Sequence, residues 1–158
     1  MTFRVGWGFD AHRLDGPPPL KLGGVIVSES HGVTATSDGD VLAHALTDAV
    51  LGACVLGDIG THFPSDDPAM SDIDSMFLLR EAATMAEAKG WRIAHADVTV
   101  VAEEVRIGPH RDEIVTSVTD ALGVEGRAVS VKATSTDGLG FVGSGEGIAV
   151  VAVVTVRA

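Results

Sequence analysis

The chain has 158 residues, of which 46% are apolar and 21% are charged, so its length and composition exclude a disordered chain and predict one domain over residues 1–158. Its 22 acidic residues outnumber 11 basic ones, and this acidic balance argues against nucleic acid or an anionic membrane as a partner. The single cysteine, Cys54, excludes a disulfide framework, and the start of the chain lacks the features of a signal peptide, so we expect a cytoplasmic protein.

The first predicted element is a strand, because apolar residues alternate from Phe3 to Phe9. If the strand continues, Asp10 and His12 point to the same side of it. A carboxylate and an imidazole at that spacing are weak evidence for a metal site on their own. A second imidazole from His44 would complete three ligands of a tetrahedral Zn²⁺ ion and leave its fourth position open, as in catalytic zinc sites.

A helix is predicted next, with Ser37 and Asp40 as a capping box and Gly57 as its end. Helical spacing places Asp40, His44 and Asp48 on one stripe. One interpretation is that the two acids orient the imidazole while its free nitrogen binds a metal ion. The other is a polar helix face that is exposed to water.

The polar segment 57–67 is predicted to be a ligand-holding loop, in which Asp58 either accepts hydrogen bonds from a sugar diol or caps its own turn. A second helix is predicted to open with Ser71 and Asp74 and to close at Gly90. Its expected core contacts are Ile73, Phe77, Leu78, Met85 and Ala88.

The last third of the chain contains a strand over 91–101, a helix from Pro109 to Gly123 and a strand from Val129. That strand leads through 132–137 into a glycine-rich segment, which suits either a diphosphate with a divalent cation or ordinary turns. The run 148–156 is apolar on both faces and predicts a central strand or one buried against another subunit. This order of elements predicts an α+β fold, with a mixed sheet and helices packed on one face.

Four motifs together resemble the 2-C-methyl-D-erythritol 2,4-cyclodiphosphate synthase family. They are Gly8-Phe-Asp-Ala-His12, Ser37-Asp-Gly-Asp-Val-Leu-Ala-His44 with its continuation to Asp48, Gly57-Asp-Ile-Gly60 with Phe63-Pro64, and the segment from Lys132 to Ile148. The similarity covers nearly the whole chain, and the long central motif is highly specific.

The resemblance implies a homotrimer with three active sites at subunit interfaces, acting in the non-mevalonate route to isoprenoids. The implied substrate is 4-diphosphocytidyl-2-C-methyl-D-erythritol 2-phosphate. Its 2-phosphate attacks the β-phosphorus, closes the cyclic diphosphate and expels CMP. Phosphoryl transfer of this kind needs positioning and charge neutralisation more than a covalent nucleophile.

The resemblance also implies two metal sites. Asp10, His12 and His44 are expected to bind Zn²⁺ or another divalent transition metal. Asp137 stands where relatives have glutamate and is expected to serve a Mg²⁺ or Mn²⁺ ion on the diphosphate. The implied catalytic residues are Thr36, in place of the usual histidine, and Ser135, in place of a threonine.

The substrate-binding residues implied by the resemblance lie in five segments, with the nucleotide loop 102–108 coming from an adjacent subunit. They are Asp10, His12, Thr36, Ser37, Asp58, Ile59, Gly60, Phe63, Pro64, Ser65, Asp66, Asp67, Ala102, Glu103, Glu104, Val105, Arg106, Ile107, Gly108, Lys132, Thr134, Ser135, Thr136, Asp137, Phe141 and Ser144. Val105 replaces a frequent proline. Ser144 replaces an arginine that faces the trimer axis in many relatives, so we expect no diphosphate ligand on that axis.

Two other functions stay open on the sequence. Thr36 and Ser144 fit a paralogue that binds cytidine nucleotide or isoprenoid phosphate without turnover. A metal-dependent hydrolase that releases a linear product is the third candidate.

Overall fold

A four-stranded mixed sheet forms the centre of the computed structural model, which describes residues 1–158. Its strands are β1 (Phe3–Arg13), β4 (Arg92–Val101), β5 (Val129–Thr134) and β6 (Gly147–Arg157), in the spatial order β1-β6-β4-β5. Because β6 runs antiparallel to β1 and β4, while β4 and β5 are parallel, β1, β4 and β5 all end at the same edge of the sheet. β2 (Leu20–Leu22) and β3 (Val25–Ser28) form a separate hairpin.

Three longer helices cover one face of this sheet. They are α1 (Val41–Ala53), α3 (Ser75–Ala88) and α4 (Arg111–Leu122), and two short helices, α2 (Ile59–His62) and α5 (Gly140–Gly143), lie in loops. α1 packs against β1 and β6, while α4 packs against β5. The predicted α+β class, with a mixed sheet and helices on one face, is confirmed. None of the helices combines the length and apolar character needed to cross a bilayer.

Two glycines of β1 let α1 lie directly on the sheet. A Cβ atom on Gly6 would lie 1.9 Å from the carbonyl oxygen of Ala49, and one on Gly8 would lie 1.9 Å from that of Ala45. Only glycine permits so close an approach between a strand and a helix backbone. This contact fixes the helix that carries His44 against the strand that carries Asp10 and His12.

The opposite face of the sheet is open, and it is apolar along β1 and β6. Val5 is 65% exposed and Trp7 is 63% exposed, although both lie in the middle of a strand. The rings of Trp7 and Phe9 stack with their centroids 6.1 Å apart. An exposed apolar surface of this kind is typical of a protein interface.

Both predicted capping boxes are wrong. Asp40 alone caps α1 by accepting a hydrogen bond from the N–H of Ala43, and the helix ends at Ala53 rather than at Gly57. Asp74 alone caps α3, while Ser71 ends a preceding 3-10 turn. Only the residue directly before a helix is close enough for its side chain to accept from the first free N–H groups, so the aspartate caps each helix and the serine three residues earlier does not.

The buried face of α3 also differs from the predicted one. Leu78 is buried as expected, but Phe77 is 43% exposed and Ala88 is exposed. The residues that face α1 and the sheet are Met76, Leu79, Ala82 and Ala86. The predicted central position of β6 and the helix end at Gly123, which has a left-handed φ of 65°, are confirmed.

Candidate metal centre

Two elements bring three potential metal ligands together. Asp10 and His12 stand at the end of β1, and His44 stands on the face of α1 that packs against this strand. The Oδ2 atom of Asp10 lies 3.0 Å from His44 Nδ1 and 3.2 Å from His12 Nδ1. One ligand atom from each of the three residues lies within 4.8 Å of the others. The convergence predicted for these three residues is confirmed.

The electrostatics of this cluster favour a cation beside Asp10. Burial alone raises the pKa of Asp10, but the two imidazoles next to it outweigh burial and lower this pKa from 3.8 to about 2. The carboxylate of Asp10 in turn raises the pKa of His12 above 6.5, against the effect of burial.

The donor set fits a divalent transition metal. His12 Nδ1 is a buried nitrogen that makes no hydrogen bond, although it lies 3.2 Å from Asp10 Oδ2. A buried nitrogen that lies outside good hydrogen-bond geometry is suited to ligation, because buried polar atoms otherwise find hydrogen-bond partners. Two imidazole nitrogens and one carboxylate oxygen are the ligands of catalytic zinc sites with an open fourth position.

Two hydroxyl groups contact Nε2 of His44, the ring nitrogen on the side away from Asp10. Its Nε2 lies 2.8 Å from Ser75 Oγ and 3.1 Å from Ser37 Oγ. The Ser75 hydroxyl also donates a hydrogen bond to the carboxylate of Asp38. The sequence interpretation missed Ser75 and Asp38. Asp38 lies inside the central motif, but nothing in the local pattern shows that a serine 37 residues later meets it.

The prediction that Asp40 and Asp48 orient the His44 ring is wrong. Asp40 is fully buried and accepts hydrogen bonds from the N–H groups of Gly23, Gly24 and Ala43. Asp48 accepts one from the N–H of Ile59 at 2.7 Å. Because Asp40 is fully buried, the alternative of a stripe exposed to water is wrong for Asp40, while Asp48 is half-buried. Burial raises the pKa of Asp40 and of Asp48.

A cavity of about 320 Å³ opens beside the three ligands. Many predicted substrate-binding residues line it together with His44. These residues are His12, Thr36, Ser37, Ile59, Gly60, Phe63 and Ser65, and the remaining wall comes from Ala35, Met70, Ile73 and Leu78. Thr36 is exposed at this cavity, where relatives are expected to have histidine. A larger open groove of about 780 Å³ at the far end of the sheet contains none of the predicted site residues.

Other residues of the 57–67 segment lie outside this cavity. Asp58 caps α2 by accepting hydrogen bonds from the N–H and the hydroxyl of Thr61, which matches the turn-capping alternative. Those hydrogen bonds from Thr61 lower the pKa of Asp58. Asp67 caps the following 3-10 turn through the N–H of Ala69, while Pro64 and Asp66 are exposed to solvent.

The segment 102–108, which is the predicted nucleotide loop, follows β4 at the same edge of the sheet. The side chains of Ala102, Val105 and Ile107 are buried, while those of Glu103, Glu104 and Arg106 and all of Gly108 are exposed. Glu103 accepts a hydrogen bond from the N–H of Thr136, and Glu104 Oε2 lies 3.0 Å from His31 Nε2. The loop is therefore anchored by its apolar side chains.

The 132–137 segment comprises the end of β5 and the turn after it, but its polar groups do not converge on the metal ligands of the same chain. Lys132 is paired with Asp97 at 2.6 Å, and this pairing lowers the pKa of Asp97. Asp137 is exposed and accepts a hydrogen bond from Ser135 at 3.3 Å. Two strands separate β5 from β1, so the two sets of residues are on the order of 14 Å apart.

The remaining predicted residues are exposed near the same edge. Thr134 ends β5, and its hydroxyl donates to the carbonyl of Ser135. Phe141 lies in α5 and is 48% exposed. The hydroxyl of Ser144 lies 2.9 Å from Glu146 Oε1. None of these side chains lines the cavity beside Asp10, His12 and His44.

Comparisons with known proteins give one consistent result. The YgbB family model matches residues 3–157. A 2-C-methyl-D-erythritol 2,4-cyclodiphosphate synthase of Bordetella avium is 48% identical over 149 residues, which is 94% of this chain and 92% of the relative. A Plasmodium falciparum IspF structure, described as a CDP complex, superposes with a TM-score of 0.84 at 31% identity, over 98% of this chain and 95% of that one.

A longer relative contains the same fold as one part. The bifunctional IspDF of Campylobacter jejuni superposes with a TM-score of 0.95 at 37% identity. The match covers 98% of this chain but only 42% of the bifunctional one.

Proposed function

The chain belongs to the YgbB family and acts as a 2-C-methyl-D-erythritol 2,4-cyclodiphosphate synthase of isoprenoid biosynthesis, and from this premise we propose which residues carry its reaction. In that reaction an oxygen of the 2-phosphate forms a bond to the β-phosphorus of 4-diphosphocytidyl-2-C-methyl-D-erythritol 2-phosphate. The bond from this phosphorus to the CMP oxygen breaks, and the electron pair leaves with CMP. No protein nucleophile is needed, because an ionised phosphate attacks directly.

The convergence of Asp10, His12 and His44 is the observation that supports the proposal most strongly. These side chains would hold Zn²⁺ or another divalent transition metal. When bound, the metal supplies positive charge next to phosphate oxygens in a protein whose own net charge is -11. Thr36 and Ser37 line the adjoining cavity with hydroxyl groups that suit hydrogen bonds to phosphate, and we assign Thr36 the place of the usual histidine.

The diphosphate end of the substrate is assigned to the end of β5 and the turn after it. Asp137 is an exposed single carboxylate, which fits Mg²⁺ or Mn²⁺ because such ions are often held by one carboxylate together with substrate phosphates. Ser135, Thr134 and Thr136 offer hydroxyl groups beside it. Lys132 becomes a phosphate ligand only if substrate competes with Asp97 for its ammonium group.

We assign the cytosine to the backbone of 102–108. Because Val105 and Ile107 turn their side chains into the core, the peptide groups between them are left to recognise the base. This loop and the cavity beside His44 lie at the same sheet edge but belong to strands that are not neighbours. The family resemblance implies a homotrimer, and we propose that one subunit supplies the metal centre while the next supplies the nucleotide loop and Asp137.

The test is a product assay with purified protein, Zn²⁺ and Mg²⁺. We expect CMP and the cyclic diphosphate in equal amounts, and we expect His44→Ala to release no CMP. Phosphorus NMR separates the ring from the linear product that a hydrolase would give. Binding of CDP by the unmutated protein without CMP release above the His44→Ala background would show a non-catalytic paralogue and contradict the proposal.

A further inference from the structure

Asp38 and Ser75 form a hydrogen-bonded pair, here named the relay, on the side of His44 that faces away from Asp10. The relay ends at His44, because Nε2 of the ring lies 2.8 Å from Ser75 Oγ. We propose that the relay residues are positioning residues that keep His44 protonated on Nε2, so that Nδ1 is free to bind the metal. This inference rests on the proposed function, because it assumes a metal at His44.

The direction of the relay follows from a count of its protons. The hydroxyl of Ser75 has one proton, and it donates this proton to Asp38, because an ionised carboxylate only accepts. Oδ1 of Asp38 also accepts from the N–H of Asp40 at 3.2 Å. With its proton committed to Asp38, Ser75 can only accept a hydrogen bond from His44. The proton between them therefore belongs to Nε2 of the ring, and Ser37 Oγ, 3.1 Å from the same nitrogen, is a second acceptor for it.

The consequence appears on the other side of the ring. In the metal-loaded protein, a neutral His44 that carries its proton on Nε2 turns the lone pair of Nδ1 toward the side of Asp10 Oδ2, 3.0 Å away, whereas in the metal-free protein a doubly protonated ring can donate to that oxygen. His12 Nδ1 faces the same oxygen from 3.2 Å. When His12 Nδ1 is likewise unprotonated, two ring lone pairs and a carboxylate oxygen face one another, which is unfavourable unless a cation lies among them. The relay thus makes the ring a metal ligand instead of a hydrogen-bond donor to Asp10.

The relay is also held in place by the backbone on both sides. The N–H of Asp38 donates to the carbonyl of Ile73, and the N–H of Asp72 donates to the carbonyl of Thr36. These bonds connect the start of α3, which carries the fully buried Ser75, to the cavity wall. The geometry of the His44 ring therefore depends on residues far from it in sequence. Outer residues of this kind typically change metal affinity by about 10- to 100-fold when they are mutated.

The first test reads the tautomer in the unmutated, zinc-loaded protein by proton–nitrogen correlation of the histidine rings. We expect His44 to carry its proton on Nε2. A proton on Nδ1 would overturn the proposal. This measurement does not depend on any variant folding.

The second test measures Zn²⁺ affinity by competition with a chromophoric chelator. Ser75→Ala and Asp38→Ala are expected to weaken binding by about 10- to 100-fold. Asp38→Asn is expected to lose far less than Asp38→Ala, because the N–H of Asp40 selects the amide oxygen for the Oδ1 position and so preserves an acceptor for Ser75. The matched control is Thr119→Val, which removes a buried hydroxyl without a hydrogen-bond partner and is expected to leave affinity unchanged.

Two outcomes of the affinity test would overturn the relay. One is wild-type affinity in Ser75→Ala. The other is an equal loss in Asp38→Asn and Asp38→Ala, which would show that the charge of Asp38 acts rather than its hydrogen bond. CMP release, measured separately, distinguishes the two proposals. Normal release with unchanged Ser75→Ala affinity rejects the relay alone, whereas a functioning relay in a protein that releases no CMP rejects the proposed reaction alone.

Discussion

Asp10 is the residue on which the charge balance of the metal centre depends. Its pKa is about 2 in the folded chain against 3.8 ordinarily, so its stabilising contribution is present above pH 3.8 and is lost as the pH falls toward 2. The pKa of His12 is raised above 6.5, so its contribution is present below pH 6.5 and is lost as the pH rises through the folded value. Both stabilising contributions are therefore fully present only between pH 3.8 and pH 6.5.

The resulting prediction concerns the metal-free protein in chelator. Asp10→Asn is expected to lower the free energy of unfolding by about 1–2 kcal/mol between pH 3.8 and 6.5, after allowance for solvent screening. The difference from wild type should shrink on both sides of that window. Urea unfolding at a series of pH values measures it. A difference that is constant from pH 3 to pH 8 would contradict the assigned ion pairs.

For individual residues, the sequence predicts the metal ligands but not the residues that form hydrogen bonds to them. The period of two in β1 puts Asp10 and His12 on one side of the strand, and the central motif provides His44. Strand and helix geometry are therefore sufficient to predict the three ligands. Helical spacing also suggests Asp40 and Asp48 as supports, yet their carboxylates bind backbone N–H groups that come from other parts of the chain. Contacts between distant segments, such as that of Ser75 with His44, depend on packing that no local pattern shows.

The contact between β1 and α1 positions the site at the scale of the elements. Gly8→Ala would place a methyl group 1.9 Å from the carbonyl oxygen of Ala45, and neither backbone can move without moving His44 or Asp10. We expect a loss of about 2–3 kcal/mol or more in stability and a weaker affinity for Zn²⁺. Thermal unfolding and the chelator competition measure the two effects.

Gly52→Ala in the same helix is the matched control. No atom lies within 4 Å of the Cβ position at Gly52, so the substitution is expected to stabilise the protein by about 0.5–1 kcal/mol through helix propensity. Equal effects of the two substitutions would show that close packing at Gly8 is not required.

The existence and type of the long elements could be predicted, whereas their ends and buried faces could not always be. Apolar alternation identifies β1 and β4, and Gly123 correctly marks the end of α4. The interpretation of α3 fails because Ser71 and Asp74 both resemble caps and only tertiary context selects between them. An exposed Phe77 also mimics a core residue in the helical pattern.

The open face of the sheet determines the behaviour expected of the whole molecule. Trp7 and Val5 expose apolar surface that a monomer would leave in water, and the proposed site needs residues from two chains. The wild-type protein is therefore expected to sediment with three times the 16.2 kDa mass of the chain. Trp7→Glu should shift it toward the monomer and abolish CMP release, because it puts a charge into the proposed interface.

Phe77→Glu serves as the control for this experiment. Phe77 is also an exposed aromatic residue, but it lies on a helix rather than on the open sheet face, so the trimer should persist. A wild-type protein that sediments as a monomer and still releases CMP would contradict the interfacial site. The sequence indicated the sheet and its central strand β6. It did not indicate the extent of the open face, because that depends on which face of the sheet the helices cover.

The most direct test of the whole account is anomalous diffraction at the zinc edge from crystals grown with Zn²⁺ and CDP. We expect one zinc peak per chain, about 2.0–2.2 Å from a nitrogen of His12, a nitrogen of His44 and an oxygen of Asp10. We also expect the cytosine to lie against the 102–108 backbone of a neighbouring subunit. A zinc peak bound by other side chains, or a cytosine held by the same chain that binds the zinc, would contradict it.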